Sequence, residues 1–186
     1  HAYHRRQRQM CIRDRTFTDA GGATNELDNV TTVETITLGD AATNVTTVTA
    51  LVTGTNTLTV SASALTGSNT LTWTGSAETD GGKFSITGSG QNDTIIGGSG
   101  ADTIDGAAGN DSITGAAGND SITAGTGDDS ISGGNNDDTL VLGTNLTSAD
   151  TIAGGSGTDT LTFTDAGGAT NELNLSLIHI SEPTRR

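Results

Sequence analysis

Between Gly88 and Val141 the chain repeats itself every nine residues, as GSGQNDTII, GGSGADTID, GAAGNDSIT, GAAGNDSIT, AGTGDDSIS and GGNNDDTLV, with no insertion. Asp93, Asp102, Asp111, Asp120, Asp129 and Asp138 mark the period, and two places after each comes one aliphatic residue: Ile95, Ile104, Ile113, Ile122, Ile131 or Leu140. After a slip of three residues the pattern resumes with Asp150/Ile152 and Asp159/Leu161. No other feature constrains the fold as strongly. The first six residues of a unit carry glycines where a tight turn needs positive φ, and the last three make a minimal strand. So short a strand buries nothing alone, so successive units must stack. With two units per turn, Asp93, Asp111 and Asp129 line one edge of the stack and Asp102, Asp120 and Asp138 the other.

Carboxylates stacked at strand spacing, about 4.8 Å, repel strongly unless a cation intervenes. Calcium suits the available chemistry, because it accepts six to eight hard oxygens in flexible geometry, and backbone carbonyls freed by the glycine turns can complete the shell. Magnesium wants a rigid octahedron and retains its waters, and zinc and copper lack their nitrogen or sulfur ligands. The few buried aliphatics fall well short of the entropy needed to order so many residues, so folding coupled to ion binding is expected.

The two ends are set aside before composition is used. Arg5–Arg15 (RRQRQMCIRDR) and Leu175–Arg186 (LSLIHISEPTRR) resemble translated sequencing adapters, so 1–15 and 175–186 are expected to be a non-native leader and tail. What remains, Thr16–Asn174, holds twenty Asp and Glu against a single Lys, Lys83, and has no His and no Cys. Ser-His-Asp and Cys-His nucleophilic sites are thereby excluded from this segment, as are Cys/His zinc sites. So acidic a surface repels phosphates, which argues against a nucleic-acid partner. No apolar run is long enough to span a membrane as a helix. Carboxylate-pair hydrolysis stays formally open, but nothing singles out one pair. The reading is non-enzymatic.

Thr16–Asp28 (TFTDAGGATNELD) recurs as Thr162–Asn174 (TFTDAGGATNELN), so 163–174 reads as the start of a second copy of the preceding segment. A fragment of a longer tandem array explains this, and a duplicated stretch from an assembly error is the alternative. Residues 16–87 form a Thr-rich spacer of short β-forming runs divided by Gly, Asn, Asp and Ser. Leu58/Val60, Leu71/Trp73 and Phe84/Ile86 fall thirteen apart, each an apolar pair on one strand face. Coils stacking these pairs lead into the nonapeptides, and the spacer is expected to be β-solenoid-like or a small sandwich. Its TxT rows, Thr57/Thr59 and Thr70/Thr72/Thr74, leave a glycan- or ice-binding face as a further reading.

The nonapeptides resemble the RTX, or hemolysin-type calcium-binding, repeat family, whose motif is G-G-x-G-x-D-x-U-x. Gly97–Asp105 matches every fixed position. The resemblance implies an all-β, right-handed parallel β-roll (a β-solenoid) over 88–162, holding several Ca2+ ions between successive turns. It implies Asp side chains as ligands at Asp93, Asp102, Asp111, Asp120, Asp129, Asp138, Asp150 and Asp159. Backbone carbonyls of Gly97, Ser99, Gly106, Ala108, Gly115 and Ala117 would join them. It also implies export by a type I secretion machinery and folding outside the cell. Gln91 and Asn136 depart from the fourth-position Gly, with Gln91 the less tolerant of left-handed geometry, whereas Ala107 and Ala116 at the second position should be mild. The slip near Leu142–Thr144 is expected to disturb sites bridging Asp129–Asp150 and Asp138–Asp159. The chain thus reads as a structural calcium module of a secreted, adhesin-like or surface-associated protein, with the export domain of a secreted enzyme as the alternative.

Overall fold

The computed structural model describes residues 15–17, 24–26, 34–40, 43–46, 52 and 54–163. The adapter-like ends, apart from Arg15, and all of the second spacer copy beyond Phe163 lie outside the described residues. Within them the chain forms fifteen short strands and no helix. In chain order the first seven are β1 (Arg15–Phe17), β2 (Thr24–Glu26), β3 (Thr35–Leu38), β4 (Thr43–Thr46), β5 (Thr57–Ser61), β6 (Leu71–Thr74) and β7 (Lys83–Thr87). The remainder are β8 (Thr94–Ile96), β9 (Thr103–Asp105), β10 (Ser112–Ala117), β11 (Ser121–Thr123), β12 (Ser130–Asn135), β13 (Thr139–Gly143), β14 (Thr151–Ser156) and β15 (Thr160–Phe163).

Odd-numbered strands make one eight-stranded sheet and even-numbered strands a seven-stranded one. Every pairing is parallel. Each coil therefore contributes one strand to each sheet, which is a β-solenoid. The spacer joins the nonapeptides without a break in either sheet, since β6 pairs with β8 and β7 with β9. Of the two architectures the sequence left open for the spacer, the solenoid holds and the sandwich does not.

Register follows the expected two units per turn. Ile95, Ile113 and Ile131 pair in one sheet, and Ile104, Ile122 and Leu140 in the other. These rows continue upstream into Trp73 and Ile86. The apolar pairs thirteen apart do not stack directly on one another. Leu58 and Val60 stack on Phe84 and Ile86, while Leu71 and Trp73 lie in the opposite sheet. Thirteen residues are half a coil in the spacer, as nine are in the repeats. Alternation along each strand buries the aliphatic rows between the sheets, and Trp73 and Phe84 meet edge to face with ring centroids 5.3 Å apart.

The three-residue slip does not break the stack. Ser130–Ser132 still pair with Thr151–Ala153, and Leu140 with Leu161. The extra residues are absorbed at the end of β13, where the register shifts between Val141 and Gly143, Gly143 turns at φ 58° and Asn145 N–H donates to the Leu142 carbonyl.

Candidate metal centre

An aspartate two residues before a core aliphatic points to the same strand face, which here is the interior. Asp93, Asp102, Asp111, Asp120, Asp129 and Asp138 are all at most 3% exposed, and Asp150 is also buried. Each carboxylate is held by the coil before it. Asp111, Asp129 and Asp150 accept through Oδ1 from the backbone N–H of Asp93, Asp111 and Asp129, at 2.7–2.9 Å. On the other corner Asp120, Asp138 and Asp159 accept from Asp102, Asp120 and Asp138 at 2.8–3.0 Å. The Oδ1 ladder thus runs on through Asp150 and Asp159, but the slip leaves its mark: the β13–β15 register shifts between Val141 and Gly143, and Thr147 N–H donates to Asp150 Oδ2 at 2.6 Å.

At the upstream end the ladder terminates on apolar residues. Leu71 and Phe84 occupy the coil positions that aspartates hold elsewhere, and their N–H groups donate to Asp93 Oδ1 and Asp102 Oδ1, each at 2.7 Å.

The second carboxylate oxygen separates two kinds of loop. In 88–93, Ser89 N–H donates to Asp93 Oδ2 and the Ser89 hydroxyl to Oδ1. In 97–102, Gly98 N–H donates to Asp102 Oδ2 at 2.8 Å. The Oδ2 atoms of Asp111, Asp120 and Asp138 are equally buried but have no hydrogen-bond partner. Their loops have left-handed backbone at the second motif position, at Ala107 (φ 73°), Ala116 (φ 85°) and Gly134 (φ 118°), which neither Ser89 nor Gly98 shares. The alanines at this position are therefore not the mild departures expected from sequence, because an L-residue is strained there. Asn136 also sits left-handed, at φ 79°, as its type allows, whereas Gln91 does not.

Beside each bare oxygen a carbonyl of the following coil converges. A Cβ placed on Gly115 would lie 2.2 Å from Asp120 Oδ2 and 2.5 Å from the Gly133 carbonyl oxygen. On Gly133 it would meet Asp138 Oδ2 at 2.3 Å and the Gly154 oxygen at 2.5 Å, and on Gly106 it would meet Asp111 Oδ2 at 2.6 Å and the Ala124 oxygen at 2.4 Å. The missing side chain at the first motif position leaves a small oxygen-lined space, and a Cβ would fill it. Carboxylate and carbonyl oxygens of this kind are the hard ligands that calcium takes. No three His, Cys, Asp or Glu side chains converge among the described residues, so backbone oxygens must make up most of any shell.

Of the carbonyl donors implied by resemblance, Gly106 and Gly115 oxygens face the Asp93 and Asp102 carboxylates across Gly88 and Gly97. The Gly97 oxygen faces Gly75 of the spacer instead, and Ser99 is engaged with the same spacer loop through the Glu78 carbonyl. Ala108 bridges Thr126, and Ala117 pairs with Asn135. Ala124, Gly133 and Gly154 were missed by the sequence reading, although they repeat the position of Gly106 and Gly115 in later units.

Burial without a counter-ion drives these carboxyls toward protonation. It raises Asp102 to about 6, Asp111 to about 7 and Asp120 to about 8, the last two with added repulsion from stacked aspartates. Asp129 and Asp138 are raised for the same reasons. Such corners favour either a proton or a cation.

A parallel β-solenoid whose inner corners carry stacked, under-partnered carboxylates is a repeat scaffold with the chemistry to take cations. The family model of the RTX calcium-binding nonapeptide repeat matches residues 85–113, 114–144 and 147–163, in four copies. This match supports calcium binding and a structural repeat role for the stretch 85–163. No curated protein and no solved structure matches the chain. No helix among the described residues is long and apolar enough to cross a membrane.

Proposed function

We propose that the chain is a folding module switched by extracellular calcium, part of a secreted, surface-associated repeat protein. The observation that carries this is the row of buried carboxylate oxygens without partners at Asp111, Asp120 and Asp138. Asp129 shares their Oδ1 bonding and raised titration, and joins them as a ligand. The Ala124, Gly133 and Gly154 carbonyls complete these sites. Asp150 and Asp159 serve as the last rungs. Asp93 and Asp102, whose Oδ2 atoms already accept backbone N–H groups, act chiefly as caps.

Bound calcium supplies the positive charge that the acidic core lacks. Where it is scarce, as inside a cell, repulsion between the rungs keeps the chain unfolded and fit for export. The ligand set is all oxygen, the reading is non-enzymatic, and nothing favours a glycan partner. Far-UV circular dichroism of the chain titrated with calcium, and separately with magnesium, tests the proposal. A coil-to-β transition driven by calcium alone is expected, and full β structure in excess EDTA at neutral pH would overturn it.

A further inference from the structure

Glu78 lies outside the repeats, in the spacer loop between β6 and β7, yet it is 1% exposed. Its Oε2 accepts from Val52 N–H at 3.1 Å, while its Oε1 is fully buried and has no hydrogen-bond partner. Burial first, and then the Asp80 carboxyl beside it, raise the Glu78 carboxyl, against the lowering pull of the Val52 and Asp80 backbone N–H groups. A carboxyl buried against a second one calls for a shared proton or a bound cation.

The loop is held in place from the repeat side. Ser99 N–H donates to the Glu78 carbonyl at 3.0 Å, and Gly81 N–H donates to Ser99 Oγ at 3.1 Å. Gly98 packs on the Glu78 stem so closely that a Cβ there would come within 2.9 Å of it. Since β6 pairs with β8 and β7 with β9, this loop stacks on 97–102, at the corner where the Asp102–Asp120–Asp138 rungs begin.

We propose that Glu78 and Asp80 form a calcium site of the spacer, one coil upstream of the nonapeptides and built without their motif. A hard divalent cation bound by Glu78 Oε1 and the Asp80 carboxylate would satisfy the orphaned oxygen and replace the shared proton, with the remaining ligands oxygens of loop or water. The site extends ion binding across the boundary between spacer and repeats.

The test is ion counting by native mass spectrometry on the full chain loaded with calcium chloride, comparing wild type with Glu78→Gln and Asp80→Asn. Glu78→Gln keeps the acceptor for Val52 N–H and offers an amide to Asp80, so it preserves a pair that merely shares a proton. Asp80 is exposed, and its substitution leaves the core untouched. One calcium ion fewer in each variant, with the repeat ions retained, is the expected result. If Glu78→Gln fails to fold, the Asp80→Asn count decides alone. A full complement of ions in the folded variants would overturn the proposal and leave Glu78 and Asp80 as a proton-sharing pair. Because the repeat ions are counted in the same spectrum, failure here is distinct from failure of calcium binding by the nonapeptides.

Discussion

Replacing Asp120 by Asn should change stability in opposite directions with and without calcium. Asn keeps the Oδ1 acceptor that Asp102 N–H uses at 2.8 Å. It replaces the partnerless Oδ2 with an amide donor in the space shared with the Gly133 carbonyl. Without calcium the wild-type side chain is a buried acid whose titration is shifted from 3.8 to about 8. Each unit of such a shift corresponds to about 1.4 kcal/mol, but only the part below the working pH counts. Relaxation of the ion-free corner reduces it further, leaving about 1–3 kcal/mol at pH 7. Asp120→Asn should therefore stabilise the ion-free roll by about that amount. With calcium the same change removes a charged ligand, and the calcium midpoint should rise about tenfold. The assay is circular dichroism, titrating trimethylamine N-oxide in EDTA to induce folding in the absence of the ion, and calcium in plain buffer. The variant should need less osmolyte and more calcium than wild type. A variant weakened equally in both titrations would refute the reasoning, since Asp120 would then matter only as an acceptor for Asp102 N–H.

Gly115→Ala puts a Cβ against Asp120 Oδ2 and the Gly133 carbonyl oxygen, so calorimetry should show at least one calcium ion lost even where the coil still forms. Ala107→Gly and Ala116→Gly relieve left-handed alanines at a strain of about 1–2 kcal/mol each. Part of that gain returns to the freer unfolded chain, leaving about 0.5–1 kcal/mol apiece, read as a higher urea midpoint in calcium; an unchanged midpoint would show that the strain is relaxed elsewhere. Acidification should substitute for calcium. The folded-state titrations of Asp102, Asp111 and Asp120 lie above the unfolded value, so the ion-free fold binds more protons and gains stability as pH falls from about 8 toward 4. Circular dichroism in EDTA across that range should show β structure growing at the acid end, and a loss of structure there would reverse the sign of the argument.

Much of this was legible because the nine-residue spacing of Asp and Ile fixes which side chains share a face, and two units per turn then sets the coil length. The two edges of aspartates, the parallel pairing and the buried aliphatic rows all follow from it. The spacer was half legible. Its apolar pairs were visible, but thirteen residues could be a whole coil or half of one, and only the pairing of Leu58 with Phe84 decides. The division into capped and open loops was not legible, because it depends on whether Ser89 or Gly98 turns its N–H toward a carboxylate or the backbone passes through left-handed φ at Ala107 and Ala116. Residue type alone misleads there, since the glycine at 98 is not left-handed and the alanines are. The slip before Asp150 shifts the register between Val141 and Gly143 but leaves the Oδ1 ladder continuous, which spacing alone does not reveal.

The apolar terminus of the ladder also bears on how the roll grows. The coil holding Leu71, Trp73 and Phe84 buries these three large side chains in its core, and the Leu71 and Phe84 N–H groups meet the first two aspartates. It can serve as a seed, and each later coil then adds to a finished edge. In a one-dimensional stack the costly event is nucleation, and propagation is a nearest-neighbour matter. Assembly should thus run as a zipper from the spacer toward the C-terminal coils, and destroying the seed by Trp73→Ala should introduce a lag before calcium-induced folding. A lag-free Trp73→Ala variant would show that growth can begin anywhere along the stack.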